Sequence, residues 1–178
     1  MLVLGPSHGI AGESPCVAAV GDERPREQHV LHIAYDRPPS AVVEDWQAAH
    51  GELPASLAIV APAERGENTD DELPHSVHVT RVAPDDLTGV GIAVGRYLDR
   101  WQGSSVVCLD SLTALLRRAE EDRVFRFLHT LTGRFVAADA AGHVHLDPST
   151  QDERTVATLA TLFDAVVRRE DGEWVVEG

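Results

Sequence analysis

Lysine is absent from this sequence of 178 residues, and all 15 basic residues are arginines. Aspartate and glutamate together number 29, so the formal net charge is −14. Proteins that bind nucleic acid usually present a basic surface, and anionic lipid also attracts basic segments. We therefore expect neither direct nucleic-acid binding nor attachment to a membrane surface.

Long hydrophobic runs are also missing, since no apolar run reaches the ~18 residues of a membrane helix. The amino terminus lacks the basic residues of a secretion signal. Cysteine occurs only at Cys16 and Cys108, which fits a reducing compartment better than a disulfide scaffold. Cys108 lies in an apolar segment and is expected to be an inert core thiol. We therefore expect a cytoplasmic protein.

The acidic composition without lysine is typical of proteins from halophilic cells. Molar salt shortens the Debye length to about 3 Å, so it screens the self-repulsion of a strongly charged chain. The alternative is an acidic protein from an organism with GC-rich DNA. The halophilic interpretation predicts that the protein loses stability in dilute salt.

Apolar strand-like segments alternate with amphipathic segments along the chain, which predicts a parallel sheet with helices on both faces. Asp171-Gly172 is a hairpin signal that predicts antiparallel strands at one edge. The length indicates one domain, residues 1–178. Strands are predicted at 2–5, 29–36, 57–61, 76–82, 105–110, 141–146, 165–169 and 173–177. Helices are predicted at 14–20, 39–50 (capped by Ser40), 84–102, 112–118, 122–138 and 151–163.

Three segments carry a family resemblance: LVLGPSHGIAG, HVLHIAYDRPPSAVVEDW and SVVCLDSLTALL. In this order they resemble the RecA/KaiC-like ATPases, in which a strand and a glycine-rich loop come first and a Walker B strand comes later. The stretch AAGHVHLDPSTQDERTVATLATLFDAVV resembles a haloarchaeal family of unassigned function. The resemblance implies a single RecA-like α/β domain with a mostly parallel sheet.

The phosphate loop departs from the pattern G-x-x-x-x-G-K-[ST], whose lysine and hydroxyl contact the phosphates and Mg²⁺. If Gly5 is the first glycine, Ile10 stands at the second. Ala11 and Gly12 then replace the lysine and the Ser/Thr, and Glu13 adds negative charge. We therefore interpret the loop as a degraded Walker A motif, which weakens the expectation of ATP and Mg²⁺ binding.

The resemblance also implies where the remains of a nucleotide site lie. An acidic pair follows the second strand in related ATPases, and here the pair is Tyr35-Asp36. Asp110 corresponds to the Walker B aspartate, although an aspartate at this position could instead cap the helix that starts at Leu112. The candidate residues are Gly5, Ser7, His8, Gly9, Asp36, Asp110 and Ser111.

A candidate metal site comes from the residues themselves. His143, His145 and Asp147 alternate along one predicted strand, so their side chains share a face. Two histidines and a carboxylate form a recognised metal-binding set. The alternative is a buried strand face with histidines that bind nothing.

Glycines at 89, 91 and 95 superficially resemble a dinucleotide-binding fingerprint. They fall inside a predicted amphipathic helix, whereas the fingerprint requires a strand-to-helix turn. We therefore expect that they allow close packing of this helix on the sheet.

Together these patterns predict a non-catalytic RecA/KaiC-like domain with a regulatory or protein-assembly role in a halophilic cell. Its partner would be another protein or a second copy of itself. The alternative is a nucleotide- or metal-binding enzyme or sensor that uses Asp110, His143 and His145. The sequence identifies no cofactor.

Overall fold

The computed structural model describes residues 1–6, 27–35, 37–62, 73–101, 103–170 and 173–177. The predicted strands are confirmed. Three of them match the structure at both ends, and the other five differ by one or two residues at one or both ends. The strands are β1 (Leu2–Leu4), β2 (His29–Ala34), β3 (Ser56–Pro62), β4 (Val77–Val82), β5 (Ser105–Asp110), β6 (Ala141–Leu146), β7 (Val166–Glu170) and β8 (Glu173–Glu177).

These strands form one sheet of eight strands in the order β4-β3-β2-β5-β6-β1-β7-β8. Every neighbouring pair is parallel except β7 and β8, which are antiparallel. The predicted RecA-like sheet with a C-terminal hairpin is therefore confirmed. The carboxyl ends of β1, β2, β5 and β6 lie at one edge of the sheet, where parallel α/β folds place their ligands.

The described helices are α1 (Pro39–His50), α2 (Leu87–Leu98), α3 (Leu112–Leu116), α4 (Glu121–Ala137) and α5 (Glu153–Ala160). The α1 bounds match the prediction, but α2 and α5 are shorter than predicted. The predicted cap Ser40 is wrong, because α1 begins after Pro38 with no side-chain cap. Asp86 and Asp152 instead cap α2 and α5 by accepting hydrogen bonds from backbone amides. The helix predicted at 14–20 lies outside the described residues.

Two apolar cores lie on opposite faces of the sheet. The larger joins α2, α3, α4 and α5 to one face, with Leu31, Leu109 and Val144 among its strand residues. The smaller packs α1 on the other face through Val42 and Trp46. Each large apolar side chain that is fully buried contributes roughly 1.5–3 kcal/mol. Among the helices that the structure describes, none combines the length and apolar character needed to cross a membrane.

The glycines of α2 correct one expectation. A Cβ on Gly95 would collide with the guanidinium of Arg134 on α4, and one on Gly89 would collide with the capping Asp86. A Cβ on Gly91 would meet nothing. Gly89 and Gly95 therefore leave room for a cap and for α4, and the expectation that the glycines allow close packing of α2 on the sheet is wrong.

Candidate functional site at the carboxyl ends of the strands

Backbone hydrogen bonds hold the candidate segments together at one edge of the sheet. The amide of Tyr35, just after β2, donates to the carbonyl of Asp110 at the end of β5 over 2.8 Å. The amide of Gly5, just after β1, donates to the carbonyl of Leu146 at the end of β6 over 3.0 Å. The residues that follow four central strands are therefore held at the same edge.

Asp110 ends β5 with only 6% of its surface exposed, and a guanidinium lies beside it. Nη1 of Arg37 is 3.9 Å from Oδ2 of Asp110 and 2.5 Å from Oδ2 of Asp45 on α1. Nη2 of Arg37 also donates to the carbonyl of Ala41 over 3.3 Å. Arg37 thus joins the first half of α1 to the Walker B-like aspartate.

The electrostatics of this group favour a charged guanidinium. Partial burial alone would lower the pKa of Arg37, but the hydrogen bond that Arg37 donates to Asp45 and the charges of Asp45 and Asp110 raise it above its usual value. Asp45 is itself buried. A charged hydrogen bond of this kind is stronger than a neutral one because little water screens it. Positive charge is therefore already present at Asp110.

Ser111 caps the helix that follows it, a role that the sequence suggested for Asp110. The Oγ of Ser111 accepts a hydrogen bond from the amide of Ala114 over 3.2 Å, so Ser111 is the N-cap of α3. The suggestion that Asp110 caps this helix is therefore wrong. The peptide bond between Asp110 and Ser111 is cis.

Tyr35 stands where the resemblance to the RecA/KaiC-like ATPases implies a carboxylate, and its side chain packs inside the protein. It is buried in the larger core with Leu31 and Ile33. Burial raises the pKa of its hydroxyl, so the group remains protonated. Tyr35 can neither hold a metal ion nor activate water from this position.

Asp147 follows β6 and is bound to its own loop. Its Oδ1 accepts hydrogen bonds from the amide and the hydroxyl of Ser149, at 3.0 and 2.6 Å. Its amide donates to Oγ1 of Thr113 over 2.8 Å. Asp147 therefore organises the turn at 148–150.

An open cavity of about 890 Å³ lies next to this turn, between the ends of β1 and β6, helix α5 and the C-terminal hairpin. Gly5 and Pro6 line it on one side. Among the described residues, the carboxylates of Asp147, Glu153 and Glu177 and the guanidinium of Arg168 line it. Arg168 forms an ion pair with Glu177, which leaves the described part of the lining acidic.

The two candidate histidines lie on a buried face of the sheet. His143 faces its register partner Cys108, which in turn is in register with His32. His143 and His145 are 2% and 8% exposed. Burial lowers the pKa values of His32 and His145 to about 3 and that of His143 to about 4. All three histidines are therefore neutral at physiological pH.

The predicted metal set is not brought together. Within the described ranges, no group of three or more His, Cys, Asp or Glu side chains could hold a metal ion. The carboxylate of Asp147 is turned to Ser149, and Cys108 is disulfide-bonded. The expectation of an inert free thiol is therefore wrong, and the cysteines do not support the inference of a reducing compartment. The sequence has one other cysteine, Cys16, which lies outside the described residues.

The remaining candidates divide by what the structure describes. Gly5, Asp110 and Ser111 lie at the predicted edge of the sheet. Ser7, His8, Gly9 and Asp36 lie outside the described residues, as does the rest of the loop that we interpreted from the sequence as a degraded Walker A motif. Arg37 and Asp45 were not predicted from the sequence, because a pair at this spacing across the start of a helix matches no short motif.

The model of one protein family, described as a family of unknown function, DUF7504, matches residues 1–169. The chain belongs to this family. No curated protein matches the DUF7504 chain.

Solved structures resemble this DUF7504 member in fold. The uncharacterized protein PH0321 from Pyrococcus horikoshii, crystallised in complex with an unknown peptide, has a TM-score of 0.57 and 10% sequence identity. That match covers 98% of this chain and 81% of the other. The flagellar accessory protein FlaH from Methanocaldococcus jannaschii has a TM-score of 0.41 and 12% identity, over 90% and 80% of the two chains. At these identities the likeness to PH0321 concerns the fold alone.

Proposed function

We propose that this protein is a non-catalytic RecA-like domain with a regulatory or protein-assembly role. The observation that carries the proposal is the position of Arg37, 3.9 Å from Asp110 and hydrogen-bonded to Asp45. In P-loop NTPases the corresponding aspartate helps to hold Mg²⁺. Here a guanidinium supplies the positive charge, and a divalent cation would be repelled by it.

The residues that would bind the phosphates of a nucleotide support the same conclusion. A working phosphate loop needs a lysine that reaches the β- and γ-phosphates, and this chain has no lysine at all. The cavity that begins at Gly5 is lined by Asp147, Glu153 and Glu177. Like charges about 4 Å apart repel by roughly 4 kcal/mol at an effective dielectric constant near 20. A triphosphate is therefore disfavoured there.

A protein partner is the second part of the proposal. The structure of PH0321 contains a bound peptide, so one protein of similar fold has been found in a complex with a polypeptide. The net charge of −14 disfavours nucleic acid as the partner. We therefore infer that the domain acts by association with protein and not by nucleotide turnover.

ATP turnover tests the first part. We expect the purified protein to release no phosphate from Mg·ATP above background, with or without molar KCl. The decisive variants are Asp110→Asn and the matched Asp139→Asn, which makes the same change at an exposed position whose backbone φ of 51° asparagine adopts readily. Turnover that Asp110→Asn abolishes and Asp139→Asn preserves would overturn the proposal.

We also propose that the domain works in the cytoplasm of a halophilic cell. The support is compositional: 29 acidic residues, no lysine and a formal net charge of −14. Salt screens the repulsion between these charges. The melting temperature should therefore fall on dialysis from molar to millimolar KCl. An equal melting temperature in both buffers would contradict the halophilic assignment.

A further inference from the structure

A groove runs between α2 and α4 on the helical face of the molecule, with a volume of about 330 Å³. We call it the α2–α4 groove. Its apolar lining includes Leu87, Phe127 and the buried Leu131, and Ile92 at its rim is 48% exposed. Leu87, Thr88, Gly91, Ile92, Arg123, Arg126, Phe127, Thr130, Leu131 and Arg134 line it.

Three arginines follow one side of the groove. Arg123, Arg126 and Arg134 recur along α4 at spacings that place them on one stripe of the helix. From Arg123 to Arg134 the stripe is about 16 Å long at 1.5 Å per residue. Nη2 of Arg123 donates to the carbonyl of Asp85 just before α2, over 2.9 Å. The guanidinium of Arg134 lies against Gly95 near the end of α2. The arginines thus span the length of the groove.

None of these guanidinium groups is in an ion pair with a described carboxylate. The contrast with the rest of the chain is marked, because acidic residues outnumber basic ones by 29 to 15. All three arginines are exposed to solvent. The groove therefore carries three arginines that form no ion pair with a described carboxylate, on a strongly acidic protein.

Gly91 keeps the groove open. It lies inside α2, where glycine costs up to about 1 kcal/mol relative to alanine. A Cβ at this position would meet no atom within 4 Å, so internal packing does not require glycine there. Gly91 itself lines the groove, so a larger side chain at this position would occupy part of it.

We propose that the α2–α4 groove binds an acidic segment of a partner protein, with an apolar side chain seated on Leu87, Phe127 and Leu131 and carboxylates paired with the three arginines. This inference deepens the proposed role in protein association and rests on it. Arginine and aromatic side chains are the groups most enriched in protein interfaces. Carboxylates bind the planar guanidinium group in a bidentate manner, which favours an acidic partner.

The lining distinguishes a protein from other anionic ligands. A nucleic acid would have to approach a molecule of net charge −14 with only a short basic stripe to hold it. A small anion would leave the apolar floor uncovered, and it would meet only solvent-exposed guanidinium groups. An acidic peptide with an apolar anchor satisfies both the charge and the floor.

Peptide selection from a displayed random library tests the proposal. The peptides are about 12 residues long, so that a helical peptide matches the length of the arginine stripe. We expect enriched peptides to carry several Asp or Glu residues around a large apolar residue. Their dissociation constants are then measured by fluorescence anisotropy on the full chain. Failure to enrich any peptide, or enrichment of basic peptides, would overturn the proposal.

Substitution at Gly91 then locates the binding site. Gly91→Glu places a carboxylate beside the arginines and should weaken binding by at least about tenfold, while Gly91→Gln, of the same size and uncharged, should weaken it less. Both replacements favour the helix, so the variants should fold. Equal effects of the two substitutions would contradict the role of the arginine charge.

A charge reversal supplies the second control. Arg126→Glu should weaken peptide binding by about tenfold or more, whereas Arg100→Glu, exposed and outside the groove, should leave it nearly unchanged. Equal losses of peptide affinity in the two variants would show that binding depends only on the net charge of the protein, and would overturn the assignment. A single-stranded oligonucleotide that displaces the peptide from the native chain but not from Arg126→Glu would replace the protein partner with nucleic acid.

The outcome is separable from that of the nucleotide test. Asp110→Asn lies at the strand edge and should bind the selected peptides as the native chain does. ATP turnover with intact peptide binding would contradict the non-catalytic role and leave the groove assignment standing. Absence of turnover, together with peptide binding that Gly91→Glu leaves unchanged, would support the non-catalytic role and contradict the groove assignment.

Discussion

Arg37 at the carboxyl edge of the sheet lies between Asp45 and Asp110, whereas Arg126 in the α2–α4 groove forms no ion pair with a described carboxylate. The first guanidinium is three-quarters buried and is held by α1. The second lies on an exposed helix surface. The same residue type therefore neutralises charge inside the fold in one region and presents charge to a ligand in the other.

The difference matters because a site needs unsatisfied interactions in order to bind. At the strand edge, the positive charge that a metal ion or lysine would supply already comes from the chain itself. In the groove, three positive charges and an apolar floor are left for another molecule. We therefore look for binding at the groove, although the fold would direct attention to the strand edge.

The largest expected effect comes from acid, which acts on the sheet and not on the arginines. His32, His143 and His145 are neutral when buried because their pKa values are about 3 to 4, below the value of about 6.5 in an unfolded chain. Their contribution to the free energy of unfolding is complete above pH 6.5. It is lost as the pH falls and the unfolded state takes up protons, by about 2 kcal/mol per histidine between pH 7 and pH 5.

Urea denaturation at a series of pH values measures this loss. His32→Gln should reduce the slope of unfolding free energy against pH, and His129→Gln, at an exposed position on α4, serves as the matched replacement. Peptide binding by the folded fraction should persist at pH 5, since arginine does not titrate there. An unfolding free energy that is constant between pH 7 and pH 5 would contradict the buried neutral histidines.

A smaller effect should follow from the loss of Asp45. Asp45→Ala leaves the guanidinium of Arg37 partly buried without its hydrogen bond, so the unfolding free energy should fall by about 2 kcal/mol. Arg126→Ala removes an exposed, unpaired guanidinium and should change it by less than about 0.5 kcal/mol. Chemical denaturation compares the two. Equal losses would show that the two regions do not differ in the way described.

The smallest expected change is a gain in stability at Gly91. Gly91→Ala should raise the unfolding free energy by up to about 1 kcal/mol, because alanine favours the helix and its Cβ meets nothing. Gly95→Ala should gain less, since its Cβ would displace the guanidinium of Arg134. Thermal unfolding of both variants measures the difference. A loss of stability in Gly91→Ala would show that the groove at this point is packed and not open.

Much of the fold could be predicted from the sequence because strands and helices have local signatures. The apolar run at β5 and the amphipathic α1 were placed at the bounds that the structure shows. The α3 cap was misplaced by one residue, from Ser111 to Asp110, because both residue types cap helices. The Gly91 and Gly95 pattern was assigned to the wrong neighbour, since the sequence does not show which side of α2 meets α4.

The candidate site was only partly predictable for a physical reason. Alternation of strands and helices brings Gly5 and Asp110 to one edge, which the sequence suffices to predict. Arg37 and Asp45 are paired across the start of α1 at a spacing of eight residues, which matches no motif that the sequence offers. The α2–α4 groove likewise arises from the contact of two helices distant in sequence.

Binding of Mg·ATP at the strand edge tests the central claim most directly. Thermal unfolding in molar KCl, with and without Mg·ATP, detects a ligand because a hundredfold excess over the dissociation constant stabilises a protein by about 2.7 kcal/mol. With Arg37 beside Asp110 and no lysine in the chain, we predict no shift in the melting temperature at millimolar Mg·ATP. A saturable increase that Asp110→Asn removes and Asp139→Asn retains would contradict the account.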